Sequence, residues 1–179
     1  MKRSAILAWM LPFMPTLTQA TEAPAPVAPK IGDRAPDLRL EGLLQAPQGA
    51  KATLDALRGH VVVLEFWATW CVPCVGAIPH MNELAEKFRD KPVRFIAITD
   101  EDRGVIDHFL KKQPLKAWIG LDPDRTVGKA FHARGLPKTV IINQDGLIAG
   151  ITYPTRVDER MLNEILAGRQ PKMPSLESQ

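Results

Sequence analysis

The only two cysteines in 179 residues, Cys71 and Cys74, stand with just Val72 and Pro73 between them. A pair so spaced can exchange a disulfide with another molecule, help to hold a metal, or close a structural loop. Zinc would need a second Cys or His pair at ligand spacing, and His60, His80, His108 and His132 are scattered, with no role assigned to any of them. A c-type haem site needs His directly after the second cysteine, where Val75 stands. A structural bond would close so short a loop that it removes little entropy from the unfolded chain. Thiol–disulfide exchange is the better use, with the structural bond as the alternative.

Position sharpens this reading. The run from Glu65 to Cys74, Glu-Phe-Trp-Ala-Thr-Trp-Cys-Val-Pro-Cys, passes from an apolar strand into a helix. A helix start presents unpaired N–H groups and the positive end of the macrodipole, which favours the thiolate of Cys71. Cys71 is then the attacking nucleophile. Cys74, one turn further in, is the resolving cysteine that attacks the mixed disulfide. Pro73 suits the first turn, where its missing N–H would have had no partner. Glu65 lies in an otherwise apolar strand, where an ionised carboxylate is expensive, so burial should raise its pKa. A solvated or salt-bridged strand-end carboxylate is the alternative.

The elements that must hold these residues follow from hydrophobic periodicity. Residues 61–68 form a nearly unbroken apolar run, as expected of a central strand covered on both faces. Residues 72–89 read as a helix burying Val75, Ile78, Met81, Ala85 and Phe88, with Pro79 as a kink. A strand at 93–99, a helix at 105–112 with Val105, Ile106, Phe109 and Leu110 as its stripe, and a short strand at 117–121 come next. One or two helical turns at 126–133 precede strands at 139–143 and 147–151, joined by a tight turn at Asp145-Gly146. A closing helix buries Val157, Met161, Leu162, Ile165 and Leu166 and ends at Gly168. Residues 38–53 read as an irregular hairpin.

Composition and the chain ends bound the function class. A chain of this length with 45% hydrophobic and 24% charged residues is expected to form one packed domain. Met1-Lys2-Arg3, the apolar run from Ala5 to Met14 and Thr18-Gln19-Ala20 read as a signal peptide over 1–20, cleaved after Ala20. An uncleaved membrane anchor is the alternative, although Pro12 and Pro15 interrupt the run. Residues 21–30 read as a proline-rich spacer, 31–168 as the folded domain and 169–179 as a loose tail. Loss of Lys2 and Arg3 lowers the net charge of +3 by two. The near-neutral remainder gives no steering toward nucleic acid.

Phe66-Trp-Ala-Thr-Trp-Cys-Val-Pro-Cys74 resembles the active-site segment of thioredoxin-like proteins of the TlpA/ResA group. Gly135-Leu136-Pro137-Lys138-Thr139, followed by Val140 to Asn143 and Gly146, resembles that family's cis-proline loop, strand and hairpin. The likeness covers residues 31–168. It implies an α/β, thioredoxin-like fold: a central mixed sheet flanked by helices, with an N-terminal β extension. It also implies protein disulfide oxidoreductase activity without metal or cofactor, in the reducing direction, although potential is not legible in sequence. Pro137 should follow a cis bond and face the cysteines, so that Leu136 and Pro137 offer backbone to an extended substrate segment. Glu65 matches the buried acid of thioredoxins, which implies proton exchange with Cys74.

Trp67 and Trp70 either border the site or simply pack; Trp70 is the substrate-binding candidate. The implied setting is the periplasm. The implied partners are proteins with cysteine pairs, such as apocytochrome c or copper-delivery proteins, and an upstream membrane electron donor. One departure stands out: Val75-Gly76-Ala77 is uncharged where many relatives carry charge after the second cysteine. A peroxidase of the same superfamily would resemble Pro-x-x-x-Thr-x-x-Cys, and Ala68 occupies the place of that threonine. A non-catalytic module binding a partner or Cu(I) through two thiolates is the remaining rival.

Overall fold

The six residues of β2 (Val61–Phe66) are buried on both sides, and the rest of the molecule is arranged around them. Side chains alternate along a strand. Val62, Leu64 and Phe66 therefore point to one core, with Ala35, Leu38, Val127 and Phe131. Val61 and Val63 point to another, with Met81, Leu84, Phe88, Met161, Leu162 and Ile165. Full burial of one such side chain is worth roughly 1.5–3 kcal/mol, so this strand anchors both layers. The computed structural model describes residues 27–173. The expected signal peptide, residues 21–26 of the spacer and residues 174–179 of the tail lie outside the described residues.

The remaining strands and α-helices are β1 (Gly42–Leu44), α1 (Val72–Lys87), β3 (Val93–Thr99), α2 (Arg103–Leu110), β4 (Trp118–Leu121), α3 (Thr126–Ala130), β5 (Lys138–Ile142), β6 (Ile148–Thr152) and α4 (Glu159–Leu166). They build one sheet in the order β1-β4-β3-β2-β5-β6. β2, β3 and β4 run parallel, while β1, β5 and β6 are antiparallel to their neighbours. The parallel strands are joined by helical crossovers, and the antiparallel pair β5–β6 by a tight turn. In that turn Asn143 Oδ1 accepts from Asp145 N–H at 3.1 Å and Leu147 N–H at 2.9 Å, and Gly146 adopts φ +82°. Asp158 caps α4 by accepting from Met161 N–H at 2.7 Å, and Gly168 at φ +71° follows its end.

Several expectations are corrected. Residues 38–53 do not pair with themselves. Gln45 turns at φ +59°, and β1 finds its partner in the free edge of β4, with Gly42 opposite Leu121. The strand expected to reach Ala68 stops at Phe66, since the chain must turn there into the helix. The buried face of α1 is Cys74, Ala77, Ile78, Met81 and Leu84, while Val75 and Ala85 are only partly covered. In α2 only Ile106 is buried and Val105 is 45% exposed, because a short helix over the sheet margin covers one line of side chains. The start of the expected loose tail is docked: Gln170 Nε2 donates to Ala149 O at 2.6 Å, and Met173 packs on the core.

Candidate active site

Cys71 and Cys74 are joined by a disulfide, S–S 2.05 Å, at the point where the sheet gives way to α1. Cys71 is the N-cap, and its Sγ accepts a hydrogen bond from Cys74 N–H at 3.3 Å. One of the orphan donors of the first turn is thus aimed at the sulfur. Cys71 is 4% exposed and Cys74 is fully buried. Pro73 lies in the first turn as expected, and Pro79 lies inside the helix, where it offers no N–H to the carbonyl of Val75.

The loop entering the helix is clamped from the end of β3. Glu101 accepts from Thr69 N–H and from Thr69 Oγ1, each at 2.6 Å, and from Thr99 Oγ1 at 3.3 Å. The two tryptophans divide. Trp67 is 2% exposed and packs on Phe109 with ring centroids 5.4 Å apart, whereas Trp70 is 71% exposed. With Val72 at 81%, Trp70 gives the disulfide an apolar rim.

Glu65 lies on the sheet face that carries the cysteine cluster. Its neighbour on β3, Ala97, belongs to the same cluster as Cys71, Cys74 and Ile78. Ile78 and Glu65 also line one narrow cleft of about 20 Å³, with Asn82, Lys116 and other side chains at its walls. That is room for about one water. Burial raises the Glu65 pKa from the ordinary 4.5 to about 7. The side chain is 9% exposed, against the solvated alternative, and its carboxyl is poised near neutrality.

The Leu136–Pro137 bond is cis. Leu136 packs against the cluster that contains both cysteines, so the loop and the disulfide share one end of the sheet. Beside it, Gly135, Leu136, Pro137, Ile151, Thr152 and Tyr153 line a groove of about 320 Å³. Lys138 ties the loop to the end of α3: its Nζ donates to Phe131 O at 2.7 Å and His132 O at 3.2 Å, and burial lowers its pKa. Asp122, also buried, accepts from Val127 N–H at 3.0 Å and Gly128 N–H at 2.8 Å at the other end of α3.

Sequence reasoning singled out Cys71, Cys74, Glu65, Trp70, Leu136 and Pro137. The structure brings the cysteines, the strand neighbour of Glu65 and Leu136 into one cluster, with Trp70 exposed at its edge. Sequence reasoning missed Glu101, Asp122 and Lys138. Glu101 closes on Thr69 across 32 residues, and no periodicity signals such a contact. Asp122, which precedes a polar turn, could have been read as a helix cap.

A dithiol at the start of the helix after a central parallel strand, with a cis-proline loop on the neighbouring strand, defines a thioredoxin-like protein built for disulfide exchange. The model of the AhpC/TSA family matches residues 31–151, and the chain belongs to that family. It is similar to thiol-disulfide oxidoreductase ResA of Bacillus cereus, with 34% identity over 120 residues, 66% of this chain and 67% of the relative. ResA of Bacillus subtilis is 30% identical over 125 residues, covering 69% of each chain. A crystal structure from Chlorobium tepidum, described as a thiol:disulfide interchange protein DsbE, superposes with TM-score 0.66 at 28% identity, over 78% of this chain and 98% of that one. The chain is a thiol-disulfide oxidoreductase of thioredoxin-like fold.

Proposed function

We propose that this chain is an exported, periplasmic reductase of protein disulfides, with Cys71 as nucleophile, Cys74 as resolving thiol and Glu65 as the proton acceptor. The observation that carries the reading is the Cys71–Cys74 bond at the N-cap of α1, with Leu136 packed in the same cluster. In the reduced protein the Cys71 thiolate attacks one sulfur of the substrate disulfide, and the other substrate sulfur leaves. Cys74 gives its proton to Glu65 and attacks the Cys71 sulfur. The Cys71–Cys74 bond forms, the substrate is released as a dithiol, and two electrons have passed to it. An upstream dithiol on a membrane donor then restores the reduced state.

The substrate segment lies extended along Leu136 and Pro137, adding main-chain hydrogen bonds beside the attacked sulfur, with Trp70 covering its apolar side chains. Substrates of this kind are proteins with paired cysteines, such as apocytochrome c or copper-delivery proteins. Export rests on the signal-like residues 1–20, with cleavage after Ala20. The test is Cys74→Ala, which cannot resolve. Expressed with its leader, it accumulates mixed disulfides on Cys71 that name the partners. Wild-type insulin reduction by Cys71→Ala would end this reading. Tight Cu(I) binding without any disulfide reduction would favour a thiolate-binding module instead.

A further inference from the structure

Glu65, Thr139 and Thr152 stand side by side across three strands. Glu65 on β2 is directly opposite Thr139 on β5, and Thr139 is directly opposite Thr152 on β6. Opposed residues of an antiparallel pair point to the same face, with Cβ atoms about 4.5–5.5 Å apart. The three polar groups therefore form one row on the face covered by α1, where their strand-mates Val63 and Ile141 are apolar core. Thr139 and Thr152 are 0% and 2% exposed, and the Oγ1 of each is sealed from solvent with no hydrogen-bond partner among the described residues of the oxidised protein. Buried hydroxyls are nearly always partnered, so two adjacent orphans beside a buried carboxyl call for an explanation. Packing gives none, since valine has the same shape without the polar cost.

We propose that Thr139 and Thr152 carry the proton between Glu65 and the groove beside Pro137. This rests on Glu65 being the acceptor for the Cys74 proton. A hydroxyl both donates and accepts, and rotation about χ1 brings neighbours at this spacing within reach. Protonated Glu65 gives its proton to Thr139 Oγ1 as Thr139 passes its own to Thr152 and Thr152 passes its own to water. Each hydroxyl ends with one proton, and Glu65 is again a carboxylate. Thr152 is the outlet because, although its Oγ1 is sealed in the oxidised protein, the residue lines the groove of about 320 Å³ next to Leu136 and Pro137, and rotation of its side chain turns the hydroxyl toward the groove. The competing outlet is the cleft at Asn82 and Lys116, where Lys116 Nζ is already paired with Glu86 at 2.7 Å.

The reduced protein is mixed in stopped flow with dithionitrobenzoate, whose aromatic thiol products stay ionised. Oxidation of one Cys71 thiolate and one Cys74 thiol then forms the protein disulfide and two product thiolates, and releases one proton. An indicator dye follows that proton, and product absorbance follows the chemistry. In the wild type the two signals coincide. In Thr139→Val and in Thr152→Val proton release lags behind disulfide formation by about tenfold, added imidazole removes the lag, and the oxidised variants melt no lower than wild type. Thr139→Ser behaves as wild type. Coincident signals in both valine variants, with a lag in Asn82→Leu, overturn the route while leaving the role of Glu65 intact. Resolution at the wild-type rate in Glu65→Gln would instead overturn the proton-acceptor reading beneath it. Should Thr139→Val fail to fold, Thr152→Val decides alone.

Discussion

Glu101 holds Thr69 by both its backbone N–H and its hydroxyl, one carboxylate oxygen to each, at 2.6 Å. These two residues tie the end of β3 to the loop that delivers Cys71, so the position of the disulfide is set from outside its own helix. Charge-assisted hydrogen bonds this short are among the stronger ones.

Glu101→Ala leaves both Thr69 donors to water and lowers the stability of the oxidised protein by about 2 kcal/mol. Urea unfolding measures the loss. Because the loop also orients Cys71, alkylation of the reduced variant slows. Glu101→Gln, which keeps one carbonyl acceptor, recovers part of both effects. An Ala variant with unchanged unfolding midpoint and alkylation rate would deny Glu101 this role.

Glu65 makes stability depend on pH. With its pKa raised from 4.5 to about 7, the folded chain keeps a proton that the unfolded chain loses across this window. Stability therefore falls as pH rises from about 4.5 to 7 and is level outside it, a contribution of about 3 kcal/mol at most. Glu65→Gln abolishes that part of the slope and is the more stable protein at pH 8. Urea titrations at pH 5 and pH 8, wild type against variant, check the sign. A variant losing stability at pH 8 contradicts it.

Trp70 contributes recognition without stability. Trp70→Ala lowers kcat/KM toward a protein disulfide by about tenfold, leaves dithionitrobenzoate reduction unchanged, and alters unfolding free energy by less than about 0.5 kcal/mol. Equal losses on the large and the small substrate would show instead that Trp70 supports the cysteines.

Lys138 fastens the cis-proline loop to α3. Lys138→Met removes the donor to the carbonyls of Phe131 and His132, at a cost of about 1–2 kcal/mol. Amide exchange at Gly135 and Leu136 accelerates while exchange in β2 does not. Uniform acceleration across the sheet would point to global destabilisation instead.

Much of this was legible in the chain alone. The order of strands and helices is written in periods of two and 3.6 residues, which are local properties. The chemistry of Cys71 and Cys74 follows from their spacing and from the strand before them and the helix after them. The apolar strand neighbours of Glu65 pointed to burial but left a solvated strand-end carboxylate open, and the fold closes that alternative by leaving the residue 9% exposed. The cis bond at Pro137 came only through resemblance, since peptide isomers leave no compositional trace.

Tertiary structure alone decided which distant residues meet. Register sets Glu65 against Thr139 and Thr139 against Thr152, and a shift of one residue would turn the row to the other face. Trp67 and Trp70 are alike in sequence context, yet one is core and the other surface, because the chain turns between them. Glu101 and the docked Gln170 find partners through chain closure over tens of residues. Hydrophobic patterning says which face is buried; only the assembled sheet says what is buried beside what.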